Sequence, residues 1–179
     1  NGGQISTSVK PGYAALARRH GPETAFAIVK EGQNSLAWAG DFIASEGIDC
    51  DFRVAGRFHA AHGPQQYEAL ARQLASQHKG LEVQAHMVPR AEQHSELGTD
   101  IYHGGALFAR HASVDPGRFH QGMLDRALAA GAQVIAHCRA TGLRREGVGF
   151  EVQTARGQVI ARNVIIATNG YTTDLTPWL

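Results

Sequence analysis

The chain has 179 residues, a length that suits one domain or parts of two. Hydrophobic residues make up 43% and charged residues 18%, which is ordinary for a globular protein and excludes a disordered one. A formal net charge of +1 gives no electrostatic basis for binding nucleic acid or an anionic membrane.

Helical patterns follow an N-terminal glycine turn, "NGGQIST". A short helix is predicted in "PGYAALARRHG", where Pro11 stands near the start and Gly21 past the end. A longer helix should run from about Pro22 to Glu46. Its apolar stripe, which recurs every seven residues, comprises Val29, Leu36 and Ile43.

The middle of the chain alternates short strands and helices. "CDFRVAGRFHAA" has strand character that is interrupted at Ala55 and Gly56, which predicts a bulge or two short strands. "GPQQYEALARQLASQHKG" predicts a helix that carries Tyr67, Leu70 and Leu74 on one face. The pattern then predicts a strand in "LEVQAHMV", a short helix around "PRAEQHSEL" and one or two strands in "IYHGGALFARHA".

The last third begins with a helix that Asp115 caps and Pro116 opens. Its buried face is predicted to comprise Phe119, Met123, Ala127 and Leu128. "AQVIAHC" predicts a strand, and "GFEVQT", "ARG" and "QVIARNVIIAT" predict a strand, a glycine turn and a long strand or strand pair. Phe150, Val152 and Thr154 alternate with polar residues, so one face of this sheet should be wet. The order of elements predicts an α/β or α+β fold.

The stretch "VIIATNG", residues 164–170, combines an apolar strand with a polar end. A strand this apolar is typically buried on both faces of a parallel sheet. Ligands of open α/β sheets lie beyond the carboxyl ends of the strands, so this end could contact a cofactor. Alternatively, Asn169 and Gly170 only form the turn that leaves a core strand.

The cysteines and histidines indicate the cellular compartment and whether a metal site is expected. Cys50 and Cys138 are far apart in sequence, which favours free thiols in a reducing compartment. Since no apolar run approaches the ~18 residues that span a bilayer, we expect a cytoplasmic protein. The ten histidines, including the pair His59 and His62, lack the spacing of metal-binding motifs, so no metal site is predicted.

Several motifs in order resemble the D-amino-acid oxidase-like family of FAD-dependent oxidoreductases. "NGGQIS" resembles the end of the family's S-G-R-N-G-G-Q segment, and "IDCDFRVAGRFHAA" resembles its entry into the substrate-domain sheet. Residues 112–172 resemble a capped helix, a strand, a T-x-x-G hairpin and an A-T-N-G-Y strand end. The nearest likeness is to the amine and amino-acid oxidase branch, which includes γ-glutamylputrescine oxidoreductase and the glycine and sarcosine oxidases.

This resemblance implies a partial FAD-binding Rossmann-like domain joined to part of a mixed-sheet substrate domain. Residues 1–47 and 114–179 would belong to the FAD-binding part, and residues 48–113 to the substrate domain. The resemblance implies FAD as the cofactor, and the N–H groups of a glycine turn can approach its pyrophosphate closely. The residues that the resemblance places against FAD are Asn1, Gly2, Gly3, Gln4, Ala140, Ala167, Thr168, Asn169 and Gly170. Ala140 stands where the family usually has Val, so its contact would use the backbone.

The implied reaction oxidises the C–N bond of a small amine or amino acid. A hydride would pass from the amine-bearing carbon to the flavin, the imine would hydrolyse, and O₂ or another acceptor would reoxidise the flavin. No catalytic side chain is assigned. His59 and His103 lie in substrate-domain stretches, but packed or surface roles are expected for both.

One family motif is absent from the sequence. No G-x-G-x-x-G occurs, although this fold rests the pyrophosphate on a helix that such a motif opens. We therefore expect an internal stretch of a longer enzyme that by itself is inactive, binds FAD weakly or not at all, and self-associates through exposed strand edges. The alternative is a non-catalytic binding or scaffold module with the substrate-domain shape. An NAD(P)-dependent dehydrogenase is disfavoured by the missing motif.

Overall fold

The computed structural model describes residues 2–172 and residue 175. The chain forms two compact units, Asn1–Ala130 and Gly131–Leu179. Its fold is mixed α/β with antiparallel sheets, which confirms the predicted class. The elements are β1 (Gln4–Ile5), α1 (Tyr13–His20), α2 (Pro22–Ser45), β2 (Arg53–Val54), β3 (Arg57–Ala60), α3 (Pro64–Ala75), β4 (Ala85–Val88), α4 (Gln93–Leu97), β5 (Gly105–Phe108), β6 (Ala112–Ser113), α5 (Pro116–Ala129), β7 (Ala140–Glu146), β8 (Gly149–Thr154), β9 (Gly157–Ala161) and a 3₁₀ turn at Asn169–Tyr171.

The helices of the first unit lie where the sequence predicts them, although α3 ends at Ala75, before the end of the predicted segment at Gly80. Pro22 occupies the first turn of α2, and the predicted stripe buries Leu36 and Ile43. Ile43 packs with Ile48 and Cys50 in the core. Within the described part of the chain, none of the helices combines the length and apolar character that crossing a bilayer requires.

Cys50 behaves as a core side chain. It is 1% exposed and lies against the aromatic and aliphatic residues Phe42, Phe52, Val114 and Phe119 that surround the core. Burial, together with the charge of Asp49, raises the pKa of the Cys50 thiol. Because a protonated thiol is a weak nucleophile, the site gives Cys50 a packing role. Both cysteines are free.

Helix α5 is capped as predicted but its apolar face is more open than predicted. The Asp115 carboxylate accepts hydrogen bonds from the backbone N–H groups of Gly117 (2.9 Å) and Arg118 (3.0 Å). The predicted buried face is wrong in part, because Met123 is 39% and Leu128 47% exposed. The helix instead approaches the core at Gly122, where an added Cβ would collide with Ile48.

Two antiparallel three-stranded sheets complete the first unit, in the orders β1-β6-β2 and β3-β5-β4. The predicted interruption at Ala55–Gly56 separates β2 from β3, so two short strands are confirmed. The strand predicted across residues 81–88 is shorter, since only Ala85–Val88 pairs with β5. Residues of β5 lie opposite β3 and β4, so β3 forms one edge of this sheet.

The second unit contains the predicted hairpin but lacks two predicted strands. The sheet order is β7-β8-β9. "AQVIAHC" forms turns and irregular backbone, with Val134 62% and Ile135 57% exposed. Residues 163–168 are also irregular, and Ile165 is 90% exposed. The prediction of buried strands here is wrong, because a parallel strand needs neighbours on both sides and no described strand pairs with either segment.

The hairpin buries a charged residue on the face that the sequence predicts to be wet. The Glu151 side chain is 5% exposed, and its carboxylate accepts hydrogen bonds from Nε (3.1 Å) and Nη2 (2.5 Å) of Arg144. Hydrogen bonds from Arg144 and then from Gln153 lower the pKa of Glu151. The alternation of apolar and polar residues could not show that this carboxylate is covered by its own cross-strand partner.

The lowered pKa of Glu151 predicts acid sensitivity of the hairpin. The folded-state pKa lies below the unfolded value of ~4.3, so the ionised carboxylate stabilises the fold above that value. The stabilisation is lost as the pH falls through the folded-state pKa. Glu151→Gln should therefore flatten the fall of unfolding free energy with acidification, measured by urea unfolding at several pH values. The control Glu146→Gln, which removes the half-exposed second partner of Arg144, should leave most of that fall in place. Equal slopes for Glu151→Gln and the unchanged chain would contradict the assignment.

Candidate cofactor site

The N-terminal turn presents two glycines in different surroundings. Gly2 is exposed, and a Cβ added to it would meet no atom within 4 Å. Gly3 is buried and has a φ of 75°, in the left-handed region that favours glycine. The turn therefore leaves the backbone of Gly2 open to a ligand and fixes that of Gly3.

Gly3 is fixed by the segment that leads into α5. Its carbonyl accepts a hydrogen bond from Val114 N–H at 2.8 Å, and an added Cβ would collide with the Val114 carbonyl oxygen. The Pro116 Cδ atom lies 3.1 Å from the same Cβ position. Packing within the first unit thus accounts for a glycine at this position. The sequence did not reveal this role, since the contact joins residues that are far apart in the chain.

Gln4 extends the turn into β1. It is exposed and lies opposite Ser113 of β6. Its amide therefore remains available to a ligand that reaches the Gly2 backbone. The predicted neighbour Asn1 lies outside the described residues.

The other predicted cofactor residues lie in the second unit. Ala140 opens β7 opposite Thr154, is partly buried, and precedes a register irregularity that ends at Gly142. The stretch Ala167–Gly170 is exposed and leads into the 3₁₀ turn, where Asn169 has a φ of 51°. The predicted residues thus form two sets, one in each unit.

The turn at the end of this stretch is held by local hydrogen bonds. Tyr171 N–H donates to the Thr168 carbonyl at 3.0 Å, and the Thr172 hydroxyl donates to the Asn169 carbonyl at 3.2 Å. The Thr168 and Thr172 hydroxyls also hydrogen-bond each other. These bonds place Asn169 in the left-handed conformation that asparagine tolerates well, so a turn-forming role is present whether or not the residue also contacts a cofactor.

The donors and acceptors of both sets fit the polar parts of FAD. An open glycine backbone can approach phosphate or ribityl oxygens, and exposed amide and hydroxyl groups can hydrogen-bond a flavin. Among the described residues, no group of three or more His, Cys, Asp or Glu side chains could hold a metal ion. The predicted residues supply backbone, amide and hydroxyl groups, which suit the polar parts of an organic cofactor.

The first unit contains a cluster of charged and aromatic side chains that no sequence pattern predicts. The Arg57 guanidinium stacks on Phe108, and the buried ring of His111 packs edge-on against the same aromatic ring. Burial and then the charge of Arg57 lower the pKa of His111. Burial, followed by Arg57, His62 and Lys10, lowers the pKa of His59. The pairing of β3 with β5 and the hydrogen bond from Gly56 N–H to the His111 carbonyl bring these groups together, so sequence spacing gave no signal.

The similarity of this chain to known proteins extends over nearly its whole length. The model of the FAD dependent oxidoreductase (DAO) family matches residues 1–178. Gamma-glutamylputrescine oxidoreductase of Escherichia coli (strain K12) is 27% identical over 97% of this chain and 40% of its own length. A protein of Rhizobium meliloti (strain 1021) named probable oxidoreductase OrdL is 25% identical over 99% of this chain and 41% of its own length. The chain thus spans about two fifths of these curated relatives.

A solved structure supports the same fold. Glycine oxidase from Geobacillus kaustophilus superposes with a TM-score of 0.80 at 16% identity, over 97% of this chain and 45% of that protein. The family match covers both the glycine turn and the strand-end motif. The chain therefore belongs to the FAD dependent oxidoreductase family.

Proposed function

We propose that the protein containing this chain oxidises the C–N bond of a small amine or amino acid with FAD. The observation that carries the proposal is the family match over residues 1–178, which includes both sets of predicted cofactor residues. The similarity to gamma-glutamylputrescine oxidoreductase and to the fold of glycine oxidase supports this substrate class. FAD, when bound, supplies the two-electron oxidant, and O₂ or another acceptor completes the cycle.

The contribution of this chain to that reaction is to hold and orient the cofactor. The open Gly2 backbone and the Gln4 amide would bind its polar groups from the first unit, together with Asn1. Ala140 and the stretch Ala167–Gly170 would contribute backbone and polar contacts from the second unit. Gly3 would act indirectly, because it fixes the turn against Val114. We assign residues 1–47 and 114–179 to the FAD-binding part and residues 48–113 to the substrate domain.

Anaerobic flavin reduction tests the reaction class directly. The protein expressed from its complete reading frame is loaded with FAD and mixed with amines and amino acids without oxygen. The proposal expects the oxidised flavin band to disappear with at least one of these substrates and to return on admission of air or an added acceptor. A flavin that stays oxidised with every amine and amino acid, but is reduced by NADPH, would overturn the substrate class.

The 179-residue chain alone is expected to retain little FAD and to be inactive, because its sequence contains no G-x-G-x-x-G. We also expect it to self-associate. Strand β9 is an edge of its sheet, and Val159 and Ile160 on it are 51% and 62% exposed. Such an edge can pair with another chain. Sedimentation velocity that gives a monomer at all concentrations would contradict this expectation.

We place the protein in the cytoplasm because both of its cysteines are free, as in a reducing compartment. Fractionation of the source cells that recovers the protein with secreted material would contradict this placement.

A further inference from the structure

An arginine on the edge strand β3 has no charge partner among the residues that the structure describes. Arg57 lies opposite Phe108 of β5, and its guanidinium carbon stands 4.9 Å from the centroid of the Phe108 ring. Stacking of this kind covers a flat face of the guanidinium and leaves its N–H edge for a ligand.

The N–H groups of Arg57 have no acceptor within the described structure. Its Nε atom is buried without a hydrogen-bond partner, and no described carboxylate lies within 4.0 Å of the side chain. Arg53, on β2 of the other sheet, instead donates from Nε (2.9 Å) and Nη2 (2.6 Å) to Asp51. Because no described carboxylate lies beside the guanidinium, its terminal N–H groups remain free to donate to a ligand, and an anion matches their charge.

The histidines beside Arg57 supply polarity without charge. The antiparallel register places His59 on the same face of β3 as Arg57, and His111 is 6% exposed near the stacked Phe108 ring. Because the pKa of each is lowered, both rings are neutral at neutral pH. The fixed positive charges near His59 are therefore those of Arg57 and Lys10, whereas the one near His111 is that of Arg57.

A small cavity opens beside this strand. Its volume is about 260 Å³, and its polar lining comprises Arg57, His59, His62, Gln66 and Tyr102. This volume lies below the ~300–1,000 Å³ of pockets for drug-sized ligands. The cavity therefore suits a ligand of a few heavy atoms. His62 and Tyr102 meet edge-on at 5.4 Å between ring centroids and form one wall.

We propose that this cavity binds a small carboxylate, whose two oxygens accept hydrogen bonds from the Arg57 guanidinium. Of the Arg57 nitrogens, only Nε is both covered and unpaired, so the carboxylate would bind at the terminal nitrogens. One planar guanidinium matches the charge and the two oxygens of a carboxylate. A phosphate dianion would need a further cation, and the described lining of the cavity holds neither a lysine nor a second arginine. The proposal stands on the first unit alone and does not depend on flavin.

Calorimetric titration of the purified chain with sodium propionate tests this site. Propionamide, which has the same shape without the charge, is the matched ligand control. Propionate should bind saturably and propionamide should not. Arg57→Met should weaken propionate binding at least about tenfold, since the charge-assisted hydrogen bonds are lost. Arg53→Met, which removes an exposed arginine already paired with Asp51, should bind propionate as the unchanged chain does.

A second variant and an NMR measurement test the site even if Arg57→Met does not fold. Arg57→Lys retains the charge and loses the planar fork, so it should fold and still bind propionate several-fold more weakly. In the unchanged chain, propionate should raise the pKa of His59 and His111, followed by imidazole NMR, because the bound carboxylate neutralises Arg57. Three results would each overturn the carboxylate site. The first is an absence of saturable propionate binding, and the second is a propionate affinity of the folded Arg57 variants equal to that of the unchanged chain. The third is binding of inorganic phosphate that is tighter than that of propionate.

Discussion

Replacing Gly3 with alanine should lower the free energy of unfolding of the first unit by about 3 kcal/mol. The φ of 75° costs a residue with a Cβ about 1–2 kcal/mol, and the collision of that Cβ with the Val114 carbonyl adds a similar amount. Urea unfolding measures the total. Hydrogen exchange of the Val114 amide, which donates to the Gly3 carbonyl, gives a local readout and should become faster.

Gly2→Ala is the matched control for this substitution. The new Cβ meets open space, so the stability should change by no more than about 0.5 kcal/mol. In the complete protein, however, the added methyl group stands where we propose that the cofactor approaches, so retention of FAD after desalting should fall. Equal losses of stability for the two alanine variants would contradict the division of the turn into a structural and a cofactor-facing glycine.

Replacing Gln93 with alanine should lower the free energy of unfolding by about 3 kcal/mol or more. Gln93 is completely buried; its Nε2 donates to the Tyr102 carbonyl at 2.8 Å, and its Oε1 accepts from Gly104 N–H at 3.1 Å. Alanine leaves both backbone groups without these partners, at ~1–3 kcal/mol each, and creates a cavity. Urea unfolding measures the loss, and the Gly104 amide should exchange faster with deuterium.

An exposed glutamine of the same unit provides the comparison for Gln93. Gln121 donates one hydrogen bond to Asp125 on the surface of α5, so Gln121→Ala should change the stability by no more than about 0.5 kcal/mol. Because Tyr102 lines the carboxylate cavity, Gln93→Ala should also weaken propionate binding. If the free energies of unfolding of Gln93→Ala and Gln121→Ala were equal, Gln93 would not anchor the segment between α4 and β5 that contains Tyr102 and Gly104.

Local patterns predicted much of the fold because their causes are local. The seven-residue recurrence of Leu36 and Ile43 predicted α2, and the carboxylate of Asp115 before Pro116 predicted the start of α5. The glycine turn at Gly157 gave the hairpin of β8 and β9. In each case the residues that determine the element lie within the element or one turn away from it.

Features that depend on distant partners were not predictable in this way. "VIIAT" has the composition of a buried strand, yet Ile165 is exposed because no described strand pairs with it. Glu151 alternates as a surface residue should, but its partner Arg144 on β7 covers it. Motif resemblance selected Gly2 and Gly3 together as cofactor residues, whereas the packing that distinguishes them involves Val114. Arg57 gave no sequence signal, since its unpaired state is defined by what the fold does not place beside it.

A visible absorbance spectrum is the most direct test of the cofactor assignment. The protein from the complete reading frame and the 179-residue chain are each incubated with FAD and then desalted. We predict a stoichiometric flavin band on the complete protein and little or none on the chain alone. A complete protein that emerges colourless would contradict the cofactor assignment of the glycine turn and of Ala167–Gly170, and would favour a non-catalytic binding module.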